Sequence, residues 1–202
     1  MKTHSRTCSR SLRPGFTLVE LLVVIAIIAA LVTGAFGAFF FAIERARFAD
    51  SQSMARTVAN AVDQYENQYD LLPLPASATQ GTDCESDTTA PEGLVATLLG
   101  IDTTQNSRKT NFLGDPKTAS ITGGKRVGGL IRDSENVSLV DSWGTPYKVT
   151  IDLDGNGRIT NPNPEEASAG NPELYRSVIV YSAGKDRDFG TWKDNVTSWS
   201  PR

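Results

Sequence analysis

Charge stops at Glu20 and does not resume until Glu44, leaving residues 21–43 as 23 consecutive uncharged and mostly apolar positions. As a helix rising about 1.5 Å per residue they reach about 35 Å, enough for the roughly 30 Å hydrocarbon core of a bilayer. Beyond Ile43 the pattern changes character. Phe48, Gln52, Ala55, Val58, Val62, Tyr65 and Tyr69 recur at three- and four-residue spacings, with Arg47, Asp50, Arg56, Asp63 and Glu66 between them. That is the signature of a helix with one apolar face. No Gly or Pro falls between Ala38 and Leu72. One helix of about 50 residues is therefore predicted from Phe16 to Tyr69, roughly 80 Å long, and Pro73 and Pro75 end it.

The rest of the chain reads as shorter pieces. Residues 76–89 are rich in Ser, Thr, Gly and Asp without periodicity, a loop, and residues 91–99 form a short helix opened by Pro91 and closed by Gly100. From 101 to 136 the signals are weak, and Gly123-Gly124 and Gly128-Gly129 punctuate two short apolar pieces. Tyr147, Val149 and Ile151 alternate on one face of a strand, a tight turn follows at 154–157, and Arg158 to Thr160 is read as its returning partner. The strongest strand runs from Arg176 to Ser182, followed by loop-rich sequence to Trp199. A helix followed by successive strands predicts an α+β domain, an antiparallel sheet laid on the amphipathic half of the long helix.

Glu20 is a lone carboxylate at the edge of the apolar run. Deep in a bilayer such a group costs on the order of 3 kcal/mol, so a partner or a function is expected for it. Its surroundings are Gly15-Phe16-Thr17-Leu18-Val19-Glu20 and then Leu-Leu-Val-Val-Ile-Ala-Ile-Ile, behind a short basic leader. This stretch resembles the type IV pilins and the pseudopilins of type II secretion systems. The resemblance implies a pilin-like fold and a prepilin peptidase that cuts between Gly15 and Phe16 and methylates the new amine on Phe16. It implies that Glu20 meets the Phe16 amine of a neighbouring subunit, so that two charges unfavourable in lipid cancel and fix the register of an assembly. The partners implied are further copies of the chain in a helical homo- or hetero-filament, other pseudopilins, an inner-membrane assembly platform and membrane lipid.

The chain then divides into a leader over 1–15, a transmembrane or filament-core helix over 16–43 and an exported domain over 44–202. In that domain 44–70 continue the helix, 76–136 are variable, and 137–202 carry the sheet and C-terminal loops. Losing the leader removes Lys2, Arg6, Arg10 and Arg13 and takes the formal charge from −3 to −7. The basic end reads as cytoplasmic and the acidic domain as periplasmic, across a bacterial inner membrane. An acidic exported domain gives no footprint for nucleic acid. The apolar run is too long for a secretory signal, whose cleavage site would follow it rather than precede it. Cys8 and His4 leave with the leader, so the mature chain keeps Cys84 alone and no histidine. No intrachain disulfide can form; Cys84 reads as a lone thiol in a variable loop. Acid–base chemistry on histidine is excluded, and neither a nucleophile elbow nor a phosphate loop is present. An enzyme is not expected.

Two acidic stretches bear on metal binding. Asp152, Asp154 and Asn156, with Gly155 and Gly157, fit the start of a calcium loop, although Asn163 stands where a bidentate Glu is expected and Glu165 comes two residues late. A plain β-hairpin turn uses the same residues. The second runs from Ser182 through Gly184, Asp186, Asp188, Asp194 and Asn195, below Trp143-Gly-Thr-Pro-Tyr147. It resembles the C-terminal half of the major pseudopilins, and the resemblance implies calcium on Asp186, then Asp194 and Asn195, with Asp188 as a further ligand. Lys185, Arg187 and Lys193 depart from that pattern, and the alternative is a solvated loop pinned by Trp192 and Trp199. The C-terminal resemblance favours a type II secretion pseudopilin, a structural subunit serving protein secretion. The alternatives are a type IV pilin for adhesion, motility or DNA uptake and a membrane-anchored binding module that does not polymerise.

Overall fold

The computed structural model describes residues 15–79, 81–133 and 136–200. They fall into two units divided between Ile43 and Glu44. Helix α1, Leu18–Tyr69, is 52 residues long and runs through that division.

In the first unit α1 begins where a capping box places it. Glu20 N–H donates to Thr17 Oγ at 3.2 Å, and Thr17 donates to Glu20 Oε2 from its backbone N–H at 2.8 Å and from its hydroxyl at 2.7 Å. Each group satisfies a donor that a helix start leaves open. The apolar side chains of this segment are exposed, Phe16 just ahead of the helix and Leu18, Val19, Ile25, Leu31 and Phe41 on it. Among the described residues no helix is long and apolar enough to cross a membrane.

The second unit is built from the remaining elements. In chain order they are β1 (Cys84–Asp87), a 3-10 turn (Ala90–Glu92), α2 (Leu94–Leu98), β2 (Ser120–Thr122), β3 (Lys125–Val127), β4 (Gly129–Asp133), β5 (Asn136–Val140), β6 (Lys148–Ile151), β7 (Ile159–Thr160), α3 (Pro164–Ser168), β8 (Glu173–Leu174), β9 (Val178–Ser182) and β10 (Val196–Thr197). The main sheet is antiparallel with order β1-β6-β9-β10, beside three two-stranded pairs, β2-β3, β4-β5 and β7-β8. This is an α+β architecture. Ala55, Val58, Ala61, Val62 and Tyr65 of α1 share one core with Val149, Ile151, Val178 and Val180 of the sheet and with Leu94, Leu98 and Leu139. β9 is buried at every position because α1 covers one face and Phe189, Trp192 and Trp199 gather on Tyr181 on the other.

Several expectations are corrected. Phe48, placed on the buried face of the helix by its spacing, is 36% exposed. The 76–89 segment is not all loop, since β1 pairs with β6 from Cys84↔Ile151 to Asp87↔Lys148, and Cys84 is a buried strand thiol rather than a loop thiol. Its Cys-Glu-Ser-Asp sequence has little strand propensity, and only its place beside β6 makes it one. The returning strand expected after 154–157 does not return: β6 pairs with β1 and β9, while Ile159 and Thr160 pair with β8. The 91–99 helix is broken by Gly93, whose φ of 72° separates the 3-10 turn from α2. Residues 120–127 form a hairpin, because Gly123 and Gly124 at φ 58° and 76° supply the two left-handed positions of a two-residue turn. Asn163 caps α3, a helix the sequence did not announce, by accepting from Glu165 N–H at 3.0 Å.

Candidate functional site

At the N-terminal site the Gly15–Phe16 bond lies in exposed, non-helical chain just ahead of the cap, with nothing near Gly15 and Phe16 exposed at 76%. A peptidase could reach it without unwinding α1. The capping bonds onto Glu20 all fall on Oε2. Thr17 is the residue the sequence reading passed over. The Thr-x-x-Glu spacing of a capping box is the sequence signal that marks it.

Three carboxylates converge elsewhere, where Asp83, Asp152 and Asp154 bring oxygens within 4.8 Å of one another. Asp152 is buried, and its two oxygens accept Gly155 N–H at 2.8 Å and Gly157 N–H at 2.7 Å, which curls the loop around it. Asp154 accepts from Asn156 N–H at 2.9 Å and from its side-chain amide at 2.7 Å, so Asn156 serves as a brace. Asp83 Oδ1 is shut away from solvent with no hydrogen-bond partner. Burial, and then the charges of Asp154 and Asp152, push the Asp83 carboxyl above the usual range. Oxygen donors alone, clustered and under mutual repulsion, are a donor set that a hard divalent cation fits. The third carboxylate comes from just before β1, a segment that spacing along 152–165 could not point to.

The C-terminal loop is arranged differently. Asp194 Oδ2 accepts from Lys185 N–H at 2.9 Å and Asp186 N–H at 3.0 Å, Asp186 Oδ1 from Asp188 N–H at 2.8 Å, and Asp188 Oδ1 from Gly190 N–H at 2.9 Å. Asp186, Asp188 and Asp194 do not form a group of three within metal-ligand reach. Asn195 is buried, its amide donating to Phe189 O at 3.2 Å. At Gly184, φ 69°, an added Cβ would lie 2.1 Å from Asp194 O, so glycine is what lets the loop close on itself. The Trp143 to Tyr147 segment is tied in from both sides. Fully buried Asp141 accepts from Trp143 N–H at 2.9 Å and Thr145 N–H at 2.8 Å and bonds the Ser182 hydroxyl, while Tyr147 Oη donates to Ser51 O at 3.4 Å. Burial raises the Asp141 carboxyl above its ordinary range against those bonds.

Residues 10–36 match the prokaryotic N-terminal methylation motif, which spans Gly15, Phe16, Thr17 and Glu20. Residues 10–14 of that match lie outside the described residues. No curated protein and no solved structure matches the chain.

Proposed function

We propose that the chain is a pilin-like structural subunit, cut between Gly15 and Phe16, methylated on Phe16, held in a membrane by residues 16–43 and drawn into a filament by stacking those helices. The observation that carries this reading is a methylation motif opening onto a helix whose described apolar side chains, from Leu18 to Ala42, are exposed. An apolar surface of that extent needs lipid or other copies of itself around it. Stacking head to tail is a contact that does not close, so it yields a filament. Glu20 keeps one oxygen on its own cap and offers the other to a neighbour's amine. Within this class we favour a pseudopilin of a type II secretion-like system, because the Trp143 to Tyr147 and Ser182 to Asn195 segments resemble those proteins and no cysteine pair closes a C-terminal loop.

The calcium ion expected at Asp152 and Asp154 we assign to the group that adds Asp83. There it would be a structural ion, offsetting the repulsion of three carboxylates and pinning the segment before β1 to the loop after β6.

Mass spectrometry of the native N-terminus tests the processing step: a chain starting at N-methylated Phe16 is expected, and an intact Met1 overturns the reading. Glu20→Leu is expected to abolish filaments while leaving the fold beyond Glu44 unchanged, and normal filaments from that variant would sink the pairing mechanism.

A further inference from the structure

The second unit carries complementary features at opposite ends of its stretch of α1. At one end stands the β2-β3 hairpin. It is rooted beside the helix at Arg47 to Ser51, where Lys117 Nζ meets Asp50 Oδ2 at 2.5 Å, Ser142 Oγ donates to Arg47 O at 3.1 Å, and Gly128 N–H donates to Asp141 O at 2.6 Å. All of β2 is exposed, and Ile121 at its centre is 76% exposed, a branched apolar side chain offered to solvent on an edge of only three residues. Arg126 faces it across the pair and Lys125 faces Thr122. Arg126 is taken up by Asp133 at 2.9 Å, whereas Lys125 is in no ion pair among the described residues.

At the other end, 20 residues and about 30 Å further along the helix, the chain leaves α1 at Asp70 and encloses an open cavity of about 630 Å³. Leu71, Leu72 and Leu74 line it, with Leu71 69% exposed, and Glu66 and Asp70 stand on its wall. The wall is held in shape: Gln105 exchanges two hydrogen bonds with the Leu74 backbone, at 2.8 and 2.9 Å, and its carbonyl accepts from Tyr65 Oη at 2.9 Å. Neither acid is in an ion pair among the described residues. Of the cations at this end, Arg108 is drawn over the Tyr69 ring, 5.7 Å from its centroid.

We infer that the β2-β3 tip of one copy docks in the Leu71-Leu74 cavity of the next, Ile121 against the leucines and Lys125 against Glu66 and Asp70. An apolar knob with a cation at the same hairpin tip, in no ion pair among the described residues, matches an apolar hollow walled by acids likewise in none, and the partner is a second copy of this chain. The inference rests on the filament reading and adds to it a contact between exported domains. Because knob and hollow sit at opposite ends of the second unit's stretch of α1, the contact is heterologous and repeats along an axis rather than closing into a dimer. A patch this small binds weakly alone, and the helices that tether the copies raise its effective concentration.

The test uses filaments of the full chain. With Cys84→Ser as background, Ile121→Cys together with Leu71→Cys is expected to give a ladder of covalent multimers on oxidation, and neither single cysteine is expected to do so. Lys125→Glu and Asp70→Lys should each cut filament yield about tenfold through like-charge contact, and the double reversal should restore it. Ile121, Leu71, Lys125 and Asp70 are exposed, so these changes do not test the fold, and the buried Cys84→Ser background is required to form filaments by itself before the others are added. The inference is overturned if the double-cysteine chain gives no ladder and the charge variants assemble normally in preparations where Glu20→Leu abolishes filaments. Should Glu20→Leu also assemble normally, the filament reading itself has failed.

Discussion

The two halves of α1 use the same helix for opposite purposes. Ahead of Ile43 the described apolar side chains are exposed, and no position is singled out except Glu20. Beyond Glu44 its apolar side chains lie on one stripe, and Ala55, Val58, Ala61 and Val62 are buried to 1% exposure or less. The first half is therefore a surface for other molecules, the second a wall of the protein's own core. A side chain in the second half acts on folding; one in the first acts on company.

Core truncation puts the sharpest strain on that contrast. Leu98, fully buried under α1, should cost about 2 to 5 kcal/mol when changed to Ala, whereas Ile28→Ala should stay within about 0.5 kcal/mol. Denaturant unfolding of the detergent-solubilised full chain, followed by tryptophan near-UV circular dichroism, measures both. Equal losses would erase the distinction between the halves.

The calcium proposed above would separate the units in a second way, since Asp83, Asp152 and Asp154 belong to the second alone. At a hundredfold excess over Kd the ion should stabilise by about 2.7 kcal/mol, raising Tm relative to chelator, and Asp154→Asn should remove most of that gain. The pH dependence carries a sign. Asp83 has a raised carboxyl in the folded chain, so without the ion the unfolded state loses that proton first as pH rises. Stability should fall between the unfolded carboxylate pKa of about 3.9 and the higher folded value. Asp83→Asn or added calcium should flatten that slope, and an unchanged slope with both would remove Asp83 from the site.

The smallest effect expected is at the cap. Thr17→Ala removes the acceptor for Glu20 N–H and should cost the start of α1 about 1 kcal/mol, with Thr17→Ser restoring it. Helicity near Leu18, read by backbone chemical shifts in micelles, checks this. A loss that Ser does not restore would point to the methyl group rather than the hydroxyl.

How much was legible follows from where the information lies. The long helix could be read to within two residues at its start, because its two hydrophobic patterns, the absence of Pro from Phe16 to Leu72 and the absence of Gly from Ala38 onward are local facts. β6 and β9 could be read from alternation and β-branched content. β1 could not, because Cys84 and Ser86 are buried only by what lies beside them. The Asp152 loop reads as oxygen-rich from its sequence, but Asp83, the carboxylate the fold brings beside it, lies about seventy residues upstream in the chain, and no spacing rule reaches across a sheet. The acids of the 186–195 loop looked like ligands by type. The structure shows their oxygens turned to backbone N–H groups, a use that residue identity cannot reveal.

Cys84 closes the ladder between the outermost strand and β6 with only 5% of its surface in contact with water. A thiol reagent therefore finds it only in molecules whose outer strand has peeled away. Its rate of labelling would clock that peeling in the unmodified chain, and would slow in proportion as a bound ion or a neighbouring copy holds the strand's approach segment in place.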